Sequence, residues 1–322
     1  MKKKITLITT GGTIASKVTE KGTLASGVLS GEELANLCDL PEEFEIKIID
    51  LLNVPSMSMN FDNMLKVKNV IIEEFKDETV SGIVVTHGTD TLEETAYFLD
   101  IATNDTRPIV VTGSQRSPQE VGTDVYSNLR NSIFVAANSV LNDVGVVVVF
   151  NERIYSAKYV KKVHASNLQG FESFGYGYLG IIDNNVVSVY QKPVYREFYD
   201  IKGELSRVDI IKCHTGSDGL FIDAAKSIGS KGIVLEGVGR GQVSPDMVKS
   251  IQETLKDDIV IIVTTSSEEG KVYPAYEYHG SAYHLKEEGV ILGEDYDSKK
   301  ARIKLAVILA SGRKVNQEQF KY

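Results

Sequence analysis

Three short segments gather hydroxyl and acid side chains beside glycines: Thr9-Thr10-Gly11-Gly12-Thr13, Thr86-His87-Gly88-Thr89-Asp90-Thr91 and Thr112-Gly113-Ser114-Gln115-Arg116. A threonine hydroxyl is a weak nucleophile at its free pKa and needs a neighbour to draw off its proton. Thr89-Asp90, with one of Lys158, Lys161 or Lys162, supplies candidates for that neighbour. Glycines in the same turns let backbone N–H groups approach a ligand and hold developing negative charge. Each turn taken alone also suits a plain strand-to-helix connection, because Thr, Asp and Gly are good turn and cap residues. On spacing alone the two readings stand level.

Other chemistries find less in the sequence. Gly11-Gly12-Thr13 lacks the Lys-Ser/Thr of a P-loop, and no GxGxxG follows the first strand. No GxSxG serine elbow and no HExxH occur. The five histidines, His87, His164, His214, His279 and His284, do not cluster at ligand spacing, so no metal and no cofactor are expected. Cys38 and Cys213 stand far apart without a CxxC and read as buried free thiols rather than a disulfide framework.

The elements that must carry these turns are legible as short Val/Ile-rich runs: 5–9, 82–86, 108–112, 144–150, 208–212, 232–236 and 259–264. Continuous apolar runs of this length fit a parallel sheet covered on both faces. Helical patterns lie between them at 62–76, 91–102, 124–138, 218–227 and 245–255, and a further one closes the chain at 297–312. Such alternation predicts βαβ units, hence an α/β fold of two domains. The larger, catalytic N-terminal domain (1–190) has a mostly parallel sheet, a charged and aperiodic stretch at 191–204 is a linker, and a smaller α/β domain spans 205–322. In parallel sheets ligands bind beyond the carboxyl ends of the strands, so the three turns are expected at one edge.

Composition bounds the function classes. With 322 residues, 42% hydrophobic and 25% charged, the chain is an ordinary globular one. A formal net charge of −9 disfavours nucleic-acid partners. The apolar stretch Ile5–Ile8 is too short for a signal-peptide core, and no run approaches the roughly 20 residues of a membrane span. A cytoplasmic protein without a membrane partner is expected.

The runs TTGGTIAS (9–16) and VVTHGTDTLEETAYFL (84–99) resemble the two signature segments of the bacterial-type asparaginase/glutaminase family. The similarity continues through TGSQR (112–116), YVKK (159–162), LEGVGRGQ (235–242) and DSKKAR (297–302), in order and over nearly the whole chain. The resemblance implies an L-asparagine amidohydrolase producing L-aspartate and ammonia. It implies Thr13 as nucleophile, passing through a covalent acyl-enzyme, and a second catalytic set of Thr89, Asp90 and Lys162. Lysine acts as a base only as the neutral amine, which burial favours and an adjacent carboxylate disfavours.

By the same resemblance Ser56 binds the substrate carboxylate, Asp90 its ammonium, and the Ser114 backbone helps receive the amide. Ser56 also reads simply as a loop serine after Pro55. An acidic residue from the second domain of a neighbouring subunit completes the site; Glu277 is the candidate, and a homotetramer, a dimer of dimers, is implied.

Three departures from well-known members bear on specificity. The loop Ser16–Gly27 has no tyrosine, with Leu24 near its place; Met57 stands where a glutamine sits; and Arg240 stands where an asparagine crosses the interface, or serves as a structural arginine. Alternatives from the sequence are a glutaminase-asparaginase of broad specificity and a non-catalytic amino-acid-binding module. Having Thr13, Thr89, Asp90 and Lys162 together speaks against the binder, which has no use for the lysine. A tRNA-amidating relative is disfavoured by the acidic charge.

Overall fold

The computed structural model describes residues 2–18, 24–25, 30–36 and 38–321. The chain divides into two compact units, Met1–Phe198 and Tyr199–Tyr322. In the first unit the strands are β1 (Lys3–Thr9), a short pair β2 (Lys17–Val18) and β3 (Leu24–Ala25), β4 (Phe44–Asp50), β5 (Val80–Thr86), β6 (Ile109–Thr112), β7 (Val146–Phe150), β8 (Arg153–Ser156), a second short pair β9 (Lys161–Lys162) and β10 (Phe171–Glu172), then β11 (Gly180–Asp183) and β12 (Val186–Val189). The helices are α1 (Gly31–Asn36), α2 (Phe61–Glu74), α3 (Leu92–Ala102) and α4 (Val125–Ala136).

Eight strands form one sheet in the order β12-β11-β8-β7-β6-β5-β1-β4. From β4 to β7 all neighbours run parallel. Their continuous apolar runs are explained by burial on both faces: Ile5, Leu7, Val84, Val110 and Val147 share one core with Val125, Leu129 and Ile133 of α4. Across three adjacent strands Thr9, Thr86 and Thr112 stand in register, so the turns that follow begin at one level of one edge.

The sheet is mostly parallel, as the sequence suggests, and beyond β7 it continues antiparallel through β8, β11 and β12. Two tight hairpins cause this. Asn151 and Glu152, between β7 and β8, have φ of 48° and 62°, and Asn184 and Asn185, between β11 and β12, have 47° and 64°. Left-handed backbone at both central residues is what a two-residue hairpin with the sheet's own twist requires, and Asn tolerates it best after Gly. β4 also escapes a search for continuous apolar runs, since it is an edge strand whose burial alternates from Phe44 onward.

The helices start where capping chemistry places them. Asn60 accepts the Asn63 N–H at 2.9 Å to open α2, whose Met64, Val67 and Ile71 form the buried stripe.

The second unit carries β13 (Val208–Lys212), β14 (Gly232–Gly237), β15 (Val260–Thr265) and β16 (Ile291–Leu292), all parallel and in that order. Its helices are α5 (Leu220–Ser227), α6 (Val248–Leu255), α7 (Ala282–Glu287) and α8 (Ser298–Ala310). Asp297 caps α8 by accepting the Lys300 N–H at 3.0 Å. The helix is buried almost all round, Lys304 included, whose Nζ donates to the Tyr296 hydroxyl at 2.8 Å. At the edge of this sheet the Gln317 side chain accepts the Leu292 N–H and donates to the Leu292 carbonyl, at 2.9 and 2.8 Å. Residues 190–207 contain no helix or strand. Among the described residues no helix is long and apolar enough to cross a membrane.

Candidate active site

The turns after β1 and β5 interlock through glycine. Gly12 has φ of 87°, and a Cβ there would lie 2.5 Å from the Gly88 nitrogen. Gly88 in turn rests on Ser56, whose Cβ and Oγ would be 2.8 and 2.9 Å from a Cβ at Gly88. Gly11, at φ 104°, meets the Val54 backbone in the same way. Only residues without a side chain permit these approaches. The consequence is positional: Thr13 opens the short 3₁₀ turn Thr13–Ala15 and Thr89 follows Gly88, each one residue beyond the contact. Thr10 strengthens the seam by donating its hydroxyl to the Thr86 carbonyl at 2.8 Å, and Thr91 donates to the Ser56 carbonyl at 2.7 Å.

Of the three lysines that the sequence offered, Lys162 reaches the turn. Its Nζ donates to Thr89 Oγ1 at 2.8 Å and to Asp90 Oδ1 at 2.6 Å. The Lys162 side chain is 13% exposed whereas that of Asp90 is 59% exposed, so the carboxylate faces outward while the amine lies inside. Lys158 instead lies over the Tyr159 ring, 4.8 Å from its centre. Lys162 sits on the β9–β10 hairpin, and Glu93 of α3, itself buried, accepts the Lys162 main-chain N–H.

His87, fully buried below the second turn, is held by two bonds. A carbonyl only accepts, so Nδ1 donates to the Gly88 carbonyl at 2.8 Å and Nε2 accepts from the Thr95 hydroxyl at 2.9 Å. Burial pushes the imidazole down to about 4, so it is neutral at physiological pH. It is therefore a brace for the turn and carries no charge into it.

The third turn is clamped from below. The Asp124 carboxylate accepts the N–H groups of Gln115 and Arg116, both at 3.0 Å, and Asn128 donates to the Gly113 carbonyl at 3.0 Å. Ser114 is buried and its hydroxyl donates to the Arg116 carbonyl at 2.7 Å. Gln115 lies beside Thr89, accepting its hydroxyl at 3.3 Å through Oε1.

Thr13, Ser56, Thr89, Asp90, Ser114 and Lys162 thus all lie on the first unit, in turns at the carboxyl edge of its sheet or, for Lys162, on the hairpin that reaches it. Thr13 is half-buried and Ser56 and Thr89 are buried. Glu277 lies in the second unit, exposed, within the irregular run 271–277. Arg240 is exposed in that unit with its guanidinium 5.7 Å from the Tyr273 ring, and Met57 is 73% exposed. Of the loop Ser16–Gly27 only the β2–β3 backbone pairing is described beyond Ser16; the side chain at Leu24 and residues 19–23 and 26–29 lie outside the described residues.

Glu93, Gln115, Asp124 and His87 have a part in this geometry that the sequence reading did not assign. His87 and Glu93 fall within the run 84–99 and Gln115 within TGSQR, whereas Asp124 carried no signal. Cys38 and Cys213 are buried, with burial pushing their thiols up to about 12 and about 11, which leaves neither as a nucleophile. Among the described residues no group of three or more His, Cys, Asp or Glu is arranged to hold a metal ion. The assembly is a hydroxyl flanked by an amine and a carboxylate, beside a second hydroxyl on a neighbouring turn, which suits transfer of an acyl group from an amide.

The asparaginase N-terminal family model matches residues 4–195, and the glutaminase/asparaginase C-terminal domain model matches residues 207–320. An L-asparaginase of Bacillus licheniformis is 56% identical over 322 residues, all of both chains. L-asparaginase 2 of Bacillus subtilis (strain 168) is 32% identical over 316 residues, covering 95% of this chain and 82% of that one. Among solved structures, a probable cytoplasmic L-asparaginase from Campylobacter jejuni matches with a TM-score of 0.89 at 28% identity, covering 99% of each chain.

Proposed function

This chain belongs to the bacterial-type asparaginase/glutaminase family, and from that premise we propose that it is an L-asparaginase, hydrolysing L-asparagine to L-aspartate and ammonia. The observation that carries the reading is the set formed by Lys162 Nζ, 2.8 Å from Thr89 Oγ1 and 2.6 Å from Asp90 Oδ1. An amine bonded to a buried hydroxyl, with a carboxylate at its open side, supports a reading in which Lys162 exchanges protons with Thr89.

The Thr13 oxygen attacks the side-chain amide carbon of asparagine. Its proton passes to the departing nitrogen, ammonia leaves, and an aspartyl ester remains on Thr13. Water, positioned by Thr89 and deprotonated with the help of Lys162, attacks the ester; the carbonyl–Thr13 bond breaks and the Thr13 hydroxyl is restored. Backbone N–H groups of the glycine turns and of Ser114 hold the oxyanion in both steps, a term of about 2.7–4 kcal/mol per donor. Ser56 binds the substrate α-carboxylate, and Asp90 binds the α-ammonium through the carboxylate face left open to solvent. Glu277 of a neighbouring subunit completes the site in a cytoplasmic homotetramer.

The test is ammonia release by the purified protein from L-asparagine, L-glutamine and D-asparagine, with Thr89→Ala and Lys162→Met as controls. Release from L-asparagine that both substitutions reduce by 10²-fold or more is expected. A glutamine rate equal to that for asparagine redirects the reading to broad specificity, and no release from any amide refutes it.

A further inference from the structure

We propose that Gln115 is a positioning residue for this reaction, holding the Thr89 hydroxyl hydrogen so that the oxygen presents a lone pair to Lys162. The inference rests on the proposed amidase reading and goes beyond it. Among the described residues Thr89 Oγ1 has two hydrogen-bonding neighbours, Lys162 Nζ at 2.8 Å and Gln115 Oε1 at 3.3 Å. An ammonium only donates, so when Lys162 is charged the Thr89 hydrogen must find an acceptor elsewhere. Gln115 Oε1 is that acceptor.

The orientation of the Gln115 amide is fixed by its other end. Nε2 donates to the His164 carbonyl at 3.4 Å; a carbonyl cannot donate, so the nitrogen belongs there and the oxygen faces Thr89. Gly170 makes room for it, because a Cβ at that position would lie 2.1 Å from Gln115 Nε2. His164 and Gly170 both belong to the segment joining β9 to β10, which also carries Lys162 at its start. The Gln115 main chain is held independently by Asp124. One amide therefore ties the lysine hairpin to the hydroxyl that the lysine serves.

Proton bookkeeping gives the amide a role in timing. With the amine charged, the chain runs from Nζ–H to Oγ1 and from the Oγ1 hydrogen to Oε1. With the amine neutral, the hydroxyl turns its hydrogen from Gln115 to Nζ. The two states interconvert by rotation about one C–O bond, and Gln115 stabilises the first.

The experiment compares wild type with Gln115→Met, which keeps length and loses the acceptor, Gln115→Glu, which keeps an acceptor oxygen and adds charge, and Gly170→Ala, which keeps the glutamine and displaces it. Steady-state ammonia release from L-asparagine gives kcat, KM and the pH profile of kcat, and thermal melts report folding. The methionine variant is expected to lose about tenfold in kcat at near-constant KM, and Gly170→Ala to share the loss. The activity limb governed by the Lys162–Thr89 pair moves to lower pH in the methionine variant and to higher pH in the glutamate variant. Folded methionine and glutamate variants with wild-type profiles, or a loss in KM alone, overturn the proposal while leaving the function intact. Should the methionine variant fail to fold, the direction of the shift in Gln115→Glu decides. An inactive wild type overturns both readings.

Discussion

Gly12 and Gly88 meet backbone to backbone, each immediately ahead of a threonine, with only 2.5 Å between the Gly88 nitrogen and the place where a Cβ of Gly12 would sit. The contact sets the spacing of Thr13 and Thr89 more firmly than any side-chain bond could. Gly12→Ala adds to that collision a backbone strain of about 1–3 kcal/mol, because φ 87° with ψ 179° is a region essentially confined to glycine. The variant is expected to stay folded by circular dichroism, with a melting point several degrees lower. Its kcat/KM for L-asparagine should fall by about 10²-fold, the cost of a displacement near 1 Å. Activity within threefold of wild type would show that the two turns are set by something else.

If Thr13 carries an aspartyl ester, hydroxylamine should intercept it. Its nitrogen attacks the ester carbonyl, yielding aspartyl hydroxamate and free Thr13 hydroxyl. Mass spectrometry of the products with L-asparagine and hydroxylamine is expected to show the hydroxamate, and Thr13→Ala to abolish it. Ammonia release without any hydroxamate would point to direct attack by water.

His87 makes the fold acid-sensitive. Its imidazole is held down at about 4 by burial, below the ordinary value near 6.5. The stability gained from the neutral ring is complete above pH 6.5 and is lost as pH falls through 4, on the order of 3 kcal/mol in all. Melting points between pH 4 and 8 should drop on the acid side for wild type and drop less for His87→Asn. That variant should itself be about 1–3 kcal/mol less stable at pH 7, because Thr95 loses its acceptor.

Asp100 has the opposite sign. Loss of hydration raises its carboxyl to about 6, although it accepts the Val146 N–H at 2.8 Å and lies near Arg196. A raised acid contributes stability that is complete below the unfolded value near 4 and is lost as pH rises through 6. Asp100→Asn keeps an acceptor for Val146 and removes the buried charge. Chemical denaturation at pH 7.5 is expected to show it equal to or about 1–2 kcal/mol more stable than wild type, with the difference vanishing near pH 4. A marked loss at pH 7.5 would mean that the Arg196 partnership outweighs the desolvation.

How far the sequence foretells this molecule depends on the kind of regularity involved. β1, β5, β6 and β7 are legible because strands buried on both faces keep a continuous apolar run, and Thr9, Thr86 and Thr112 mark their ends at one level. β4 is not, because an edge strand alternates, and β8, β11 and β12, as short as β6, break their apolar runs with polar or charged residues, as in Arg153–Ser156. Their hairpins do leave a trace in Asn184-Asn185, a pair suited to left-handed turns between two strand-like runs. Within the site, Thr13, Thr89 and Asp90 stand out by local motif. Glu93 reads as an ordinary acid in the first turn of a helix, and only the fold shows it gripping the Lys162 backbone, 69 residues away. Long-range pairings of this sort have no sequence period to betray them.

Gln317 has a meaning for the fate of the protein at high concentration. The outermost strand of a sheet invites a second chain to pair with it, which is how ordered aggregates begin. At Leu292 both main-chain groups are already taken by one side-chain amide, which imitates a further strand without being one. The second unit thereby ends its sheet on that side at the expense of a single residue, and β16 can stay as short as two residues without offering a template for growth.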